Sequence, residues 1–176
     1  MQDDLRLRKL STVLYSGALG LSVLVPLVVL VYAGQGVTDP DSLLSQVPSV
    51  PAGTKVTTLQ AGLVAAIALV AVLPMVAALR GMVRLFGAYR DGDVLSADNA
   101  ATILRIGRSL VLVAAFAVLV PTLQTLILSW HAPQKTLSFG IDGGTLGFLM
   151  AAGLLTVIGW AMGEAAQVKA ENEGFV

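Results

Sequence analysis

Cysteine is absent from this chain of 176 residues, and histidine occurs once, as His131. Without cysteine the protein has no disulfide, no thiolate metal site and no cysteine nucleophile. A zinc or haem site needs several convergent ligands with hydrogen-bonded support, and one histidine does not supply them. The sequence therefore predicts no metal site, and no pattern in it indicates a cofactor.

Charged residues are also scarce. Lysine and arginine number 11, aspartate and glutamate number 11, and the four types make up 12% of the chain. A net charge of zero gives no overall positive field, so we expect no direct binding to nucleic acid. Hydrophobic residues make up 56% of the chain and the mean hydropathy is +0.82, which excludes a disordered chain and favours a membrane protein.

Long apolar sequence, by contrast, is abundant. Four stretches contain no charged residue, at positions 10–38, 56–79, 109–131 and 143–163. About 20 apolar residues cross a hydrocarbon core about 30 Å thick as a helix, and a helix that is apolar all round needs lipid or another such helix around it. The sequence predicts one all-α domain over 1–176, an integral membrane four-helix bundle in the lipid bilayer with spans at about 11–33, 58–79, 108–130 and 144–163.

The basic residues are unevenly distributed among the connections. Nine of them precede the first span, lie between the second and third, or follow the fourth, whereas only Lys55 and Lys135 lie in the other two connections. The positive-inside rule then places both termini and the middle connection in the cytoplasm. An even number of spans agrees with this orientation.

Apart from Arg108 at the first position of the third span, the predicted spans contain no aspartate, glutamate, lysine or arginine, although such groups are the usual mark of ion pathways and proton relays. Their amides are Gln60 and Gln124, which we expect to hydrogen-bond between helices or to reach the interface. An ion-coupled transporter is therefore disfavoured. No nucleophile elbow, phosphate loop or zinc-protease helix is present either, so we expect a protein that is not an enzyme.

Small residues recur at four-residue spacing in the spans, as in Gly143 with Gly147, Gly159 with Gly163, and Ser16 with Gly20. This pattern allows close helix packing, either within one bundle or between copies in a homo-oligomer, and both alternatives stay open. The first three spans also contain one proline each, at Pro26, Pro74 and Pro121, where a kink is expected.

The connection between the second and third spans is the most informative segment. Arg80 and Arg84 lie one helical turn apart and continue span two beyond the membrane, Asp91 and Gly92 favour a turn, and Ser96 suits a helix N-cap. These features predict a helical hairpin over residues 80–108 that runs without a break into span three. In the outer loop after span one, a short helix is expected at 41–46.

The same segment carries a family resemblance. Residues 85–99 read LFGAYRDGDVLSADN, residues 104–107 read LRIG, and the chain closes with the glutamate-rich helix EAAQVKAENE at 164–173. This pattern resembles the YoaS-like family of small four-helix bacterial membrane proteins, a domain of unknown function, in which an aromatic residue is common at the position of Leu95. Members are often encoded beside a small helix-turn-helix regulator, which by association implies a bacterial inner-membrane protein that holds or senses that regulator.

Our leading hypothesis is thus a cytoplasmic surface, made of the hairpin and the acidic tail, that binds or sequesters a helix-turn-helix regulator. The expected contact residues are Arg84, Tyr89, Arg90, Asn99, Arg105, Glu171, Asn172 and Glu173. Within the hairpin, Arg84, Arg90, Arg105 and Arg108 are expected to form a basic rim. The acidic tail could meet basic residues of a DNA-binding domain and so compete with phosphate. Two alternatives are a small oligomeric channel or transporter subunit, which predicts a polar path through the bundle, and a sensor of an apolar ligand, which predicts a lateral cleft.

Overall fold

A computed structural model describes residues 2–46, 50, 54–132 and 140–173, with the side chains of 2–7, 45, 46 and 173 outside the described part. All regular structure in these residues is helical. Four helical segments are long and apolar enough to cross a membrane: Arg8–Thr38, Thr58–Arg90, Ala97–Leu128 and Gly143–Asn172. This confirms an all-α protein with four long apolar helices, consistent with a four-helix bundle. The connection between spans three and four falls mostly on 133–139, outside the described residues.

Helix α1 (Gln2–Thr38) continues about a turn further than the predicted span. Its last residue, Thr38, donates its hydroxyl hydrogen to the carbonyl oxygens of Gly34 and Gln35. Pro40 then ends the helix, because a residue before proline avoids the helical conformation. The short helix expected in the outer loop is present as α2 (Ser42–Gln46).

The second span consists of two helices, α3 (Thr58–Ala71) and α4 (Leu73–Arg90), that meet at Val72. Pro74 lies in the first turn of α4, where its missing N–H removes one helical hydrogen bond. Pro26 and Pro121, by contrast, lie inside helices that continue past them. Of the three prolines, Pro74 is the one at which the structure divides a span.

The remaining spans are α5 (Ala97–Leu128) and α6 (Gly143–Glu173). The Asp142 carboxylate accepts hydrogen bonds from the backbone N–H and the hydroxyl of Thr145, at 2.7 and 2.8 Å, and so caps the start of α6. The hydrogen bond from the Thr145 backbone, followed by that from its hydroxyl, lowers the pKa of Asp142.

Helix packing follows chain order. The first span packs on α3 and α4, α4 packs on α5, and α5 packs on α6. The largest buried cluster joins the last three of these helices through small and aliphatic side chains: Ala78, Leu85, Ile103, Ile106, Leu110 and Ala152. A second cluster at the opposite end joins the outer loop to α3 and α5 through Leu43, Val50, Ala61, Val64 and Leu128.

Glycine permits the closest of these helix contacts. A Cβ added at Gly159 would lie 2.9 Å from Cγ of Leu104, so this glycine packs directly on α5, and Gly163 faces Ala100 of the same helix. These two residues therefore serve packing within one chain. Gly20 and Gly147 have nothing within 4 Å of such a Cβ, so their faces are open to lipid or to another copy.

Candidate functional site

The turn of the hairpin has a defined backbone. Helix α4 ends with Gly92 in the left-handed region, at φ +92°, a conformation that glycine adopts without strain. The N–H of Gly92 donates to the carbonyl of Tyr89, and the N–H of Asp93 donates to that of Ala88. This pair of bonds is a Schellman motif. The predicted turn at Asp91 and Gly92 is confirmed.

The start of α5 closes the other side of the turn. Ser96 caps the helix by accepting a hydrogen bond from the backbone N–H of Asn99, as predicted. The side-chain amide of Asn99 donates to the carbonyl of Asp93 at 2.8 Å, and the residue is 5% exposed. Asn99 therefore holds the loop from inside and does not present its amide at the surface.

We expect Asn99→Ala to destabilise the protein by about 1 kcal/mol, because the loop loses the hydrogen bond between the buried Asn99 amide and the Asp93 carbonyl. The free energy of unfolding in mixed detergent micelles measures this effect. The matched control is Asn172→Ala, which removes the same side chain from an exposed site near the end of α6. Equal stability of the two variants would contradict the locking role of Asn99.

Tyr89 and Arg90 join the hairpin to the outer helices of the molecule. Tyr89 is half-buried, and its hydroxyl lies 4.0 Å from the sulfur of Met162 on α6. The guanidinium of Arg90 lies 5.1 Å from the centre of the Tyr15 ring on α1, within the range of a cation–π contact. Arg90 also lies 3.6 Å from Asp91. Tyr89 thus positions α6, whereas Arg90 remains exposed at the surface.

Arg84 and Arg105 lie on the facing sides of α4 and α5, where they line a groove of about 380 Å³. Two further arginines, Arg80 and Arg108, line the same groove. Arg108 is expected in the basic rim, whereas Arg80 is missing from the predicted contacts. The spacing of Arg80 from Arg84 could have revealed it, because residues three or four apart share a helix face. The sequence does not contain the register of α4 against α5, which brings Arg80 and Arg84 beside Arg105 and Arg108.

The acidic tail lies at the far end of α6. Ala97 and Gln167 line the same surface groove between α5 and α6, so α6 residues after Gln167 extend beyond the first residue of α5. The six residues 168–173 make this extension about 9 Å long. Glu171 and Asn172 are exposed on this extension, and the side chain of Glu173 lies outside the described residues.

Hydroxyl groups inside the spans bond to the backbone of their own helix. Thr122 donates to the carbonyl of Val118 and Thr156 to that of Ala152. Gln60, in contrast, donates from α3 to the carbonyl of Ile127 on α5 at 2.7 Å, as expected for an amide between helices. Gln124 lies in an apolar cleft of about 230 Å³ between α1, α3 and α5.

Residues 45–175 match the model of a family described as a protein of unknown function, DUF2975. Neither a curated protein nor a solved structure matches the chain.

Proposed function

The chain belongs to the DUF2975 family of proteins of unknown function, and from that premise we propose that it is a non-enzymatic docking protein of the bacterial inner membrane. Its cytoplasmic face would bind or sequester a small helix-turn-helix regulator. This partner is suggested by the resemblance to the YoaS-like family. That resemblance is more specific than the family match, so it belongs to the proposal.

The observation that carries the proposal is the preformed hairpin. Its turn is held by a Schellman motif, by the Ser96 cap and by the buried Asn99 amide. Val94 and Leu95 nevertheless stand 41% and 44% exposed at its tip, beside the exposed Arg90. A rigid loop that presents apolar side chains within a charged rim has the composition of a small protein-binding surface, and its rigidity lowers the entropic cost of binding.

Helix contacts support a shared location for the hairpin and both chain ends. Tyr15, near the start of α1, lies against Gly87 of α4, and Gly163, near the end of α6, lies against Ala100 of α5. With the positive-inside rule, this end would face the cytoplasm. The tail residues Glu171, Asn172 and Glu173 would then stand beside the hairpin as acidic and polar contacts.

The interior favours docking over the channel alternative. A channel needs polar side chains along one line through the bundle. The buried cluster between α4, α5 and α6 instead joins these helices through aliphatic and small side chains, and the buried polar residues of α5 in this region are Asn99 and Thr102, near its start. The apolar cleft near Gln124 agrees with the sensor alternative in shape, and Pro26 and Pro121 each lie three residues from a lining residue. A homo-oligomer would use the open faces at Gly20 and Gly147.

Co-purification tests the proposal. The full-length protein in mild detergent is expected to retain the product of a neighbouring helix-turn-helix gene. Arg90→Glu and Glu171→Lys are each expected to weaken the complex about tenfold, because they reverse charges at the rim of the surface.

The matched control is Lys55→Glu, which reverses an exposed charge on the connection predicted to lie outside. This variant should bind the regulator like the wild type. If the two full-length proteins form no complex, or if all three variants bind equally well, the proposal is wrong.

A further inference from the structure

Four arginines converge on the groove between α4 and α5. They occur as two pairs, and each side chain is exposed: Arg80 and Arg84 on α4, Arg105 and Arg108 on α5. Within the part of the chain that the structure describes, none of the four forms an ion pair with a carboxylate. The groove therefore carries four positive charges that no described carboxylate pairs with.

Close helix packing holds the two pairs opposite each other. A Cβ added at Gly81 would lie 2.6 Å from Cγ1 of Ile106, so the helices touch where these residues meet. Gly81 lies between Arg80 and Arg84 in sequence, and Ile106 lies between Arg105 and Arg108. The contact point is thus flanked by both pairs, and all four side chains line one groove. The positive-inside rule accounts for arginines at this end but not for their convergence.

We propose that this groove binds the phosphate of an anionic phospholipid headgroup. Guanidinium groups present planar pairs of donors that match phosphate oxygens, and several of them are needed to offset the charge of a desolvated anion. Basic pockets between membrane helices are suited to such headgroups. This inference does not rest on the regulator proposed above, although Arg84 and Arg105 are also expected contacts of that regulator.

The lining of the groove favours a lipid over free phosphate. Besides the arginines it contains Ala77 and Leu112, which belong to the uncharged stretches of spans two and three. Leu112 is 51% exposed, so this part of the groove opens toward the lipid side of the bundle. An amphiphile could place its phosphate among the arginines and its acyl chain along Leu112, whereas inorganic phosphate would leave the apolar end unused.

Native mass spectrometry of the detergent-solubilised protein tests the site. In titrations with phosphatidylglycerol, phosphatidylcholine or inorganic phosphate, we expect saturable binding of phosphatidylglycerol in preference to the other two. Each basic residue near an anionic surface contributes about a fivefold gain in binding, so Arg84→Gln with Arg105→Gln should weaken phosphatidylglycerol binding about 30-fold. The second pair, Arg80→Gln with Arg108→Gln, should cause the same loss.

The matched control is Arg8→Gln with Lys9→Gln, which removes two exposed charges outside the groove and should leave binding unchanged. Equal binding by the control and both groove variants would overturn the proposal, as would phosphatidylcholine binding as tight as that of phosphatidylglycerol. If inorganic phosphate binds as tightly as phosphatidylglycerol, the groove is a site for a soluble anion and the lipid proposal is wrong. The lipid titration does not measure regulator binding, so the lipid proposal and the regulator proposal can fail separately.

Discussion

Gly107→Leu is expected to destabilise the protein by about 3 kcal/mol, because the substitution overpacks the contact between α5 and α6. A Cβ at this position would lie 3.1 Å from Oγ1 of Thr156 and 3.3 Å from the carbonyl oxygen of Ala152. These two atoms are hydrogen-bonded to each other at 2.8 Å, so neither moves aside without loss of that bond. The free energy of unfolding in mixed micelles measures the effect.

Gly153→Leu provides the control for Gly107→Leu. It introduces the same side chain into α6 at a position where a Cβ meets nothing within 4 Å. Leucine has a higher helix propensity than glycine, so this variant should be as stable as the wild type or slightly more so. If both variants lose equal stability, Gly107 is not required for the close packing of α5 on α6, and the prediction is wrong.

Ile106→Ala is expected to lower the free energy of unfolding by about 2 kcal/mol. Ile106 is 2% exposed and belongs to the cluster that joins α4, α5 and α6. What is lost is the van der Waals contact around the cavity.

Two comparisons check this assignment. Ile158→Ala removes the same atoms from a side chain that is 39% exposed, and should cost little. Gly81→Ala should destabilise the wild type through its clash with Ile106, but much less in the Ile106→Ala background, where the opposing atoms are gone. Additive effects of the two substitutions would contradict direct contact between these residues.

The hairpin was predictable because its signals are local. A turn at Asp91 and Gly92 and a cap at Ser96 depend on backbone conformation and on side chains within a few positions. The full length of α1 was less predictable, since at its N-terminal end the helix continues past the uncharged stretch as ordinary polar helix. Hydropathy reports where lipid surrounds a helix and carries no information on where the helix ends.

The candidate site was predicted less completely, for a different reason. Arg84 and Arg105 were recognised individually by charge, but they form one groove with Arg80 and Arg108 only because Gly81 meets Ile106. Likewise, Asn99 is an ordinary polar residue in the sequence, and its burial depends on the carbonyl of Asp93. Such roles are set by residues on other segments of the chain.

By itself, the sequence determined four membrane-length helices, the near absence of charged residues within the predicted spans, and a hairpin rich in arginine. These follow from composition and short-range pattern, because the bilayer imposes the length and polarity of each span. The tertiary structure decided which glycines pack, where α3 gives way to α4, and which arginines share a groove. Those outcomes depend on the register of one helix against the next, which side-chain shape sets and hydropathy does not encode.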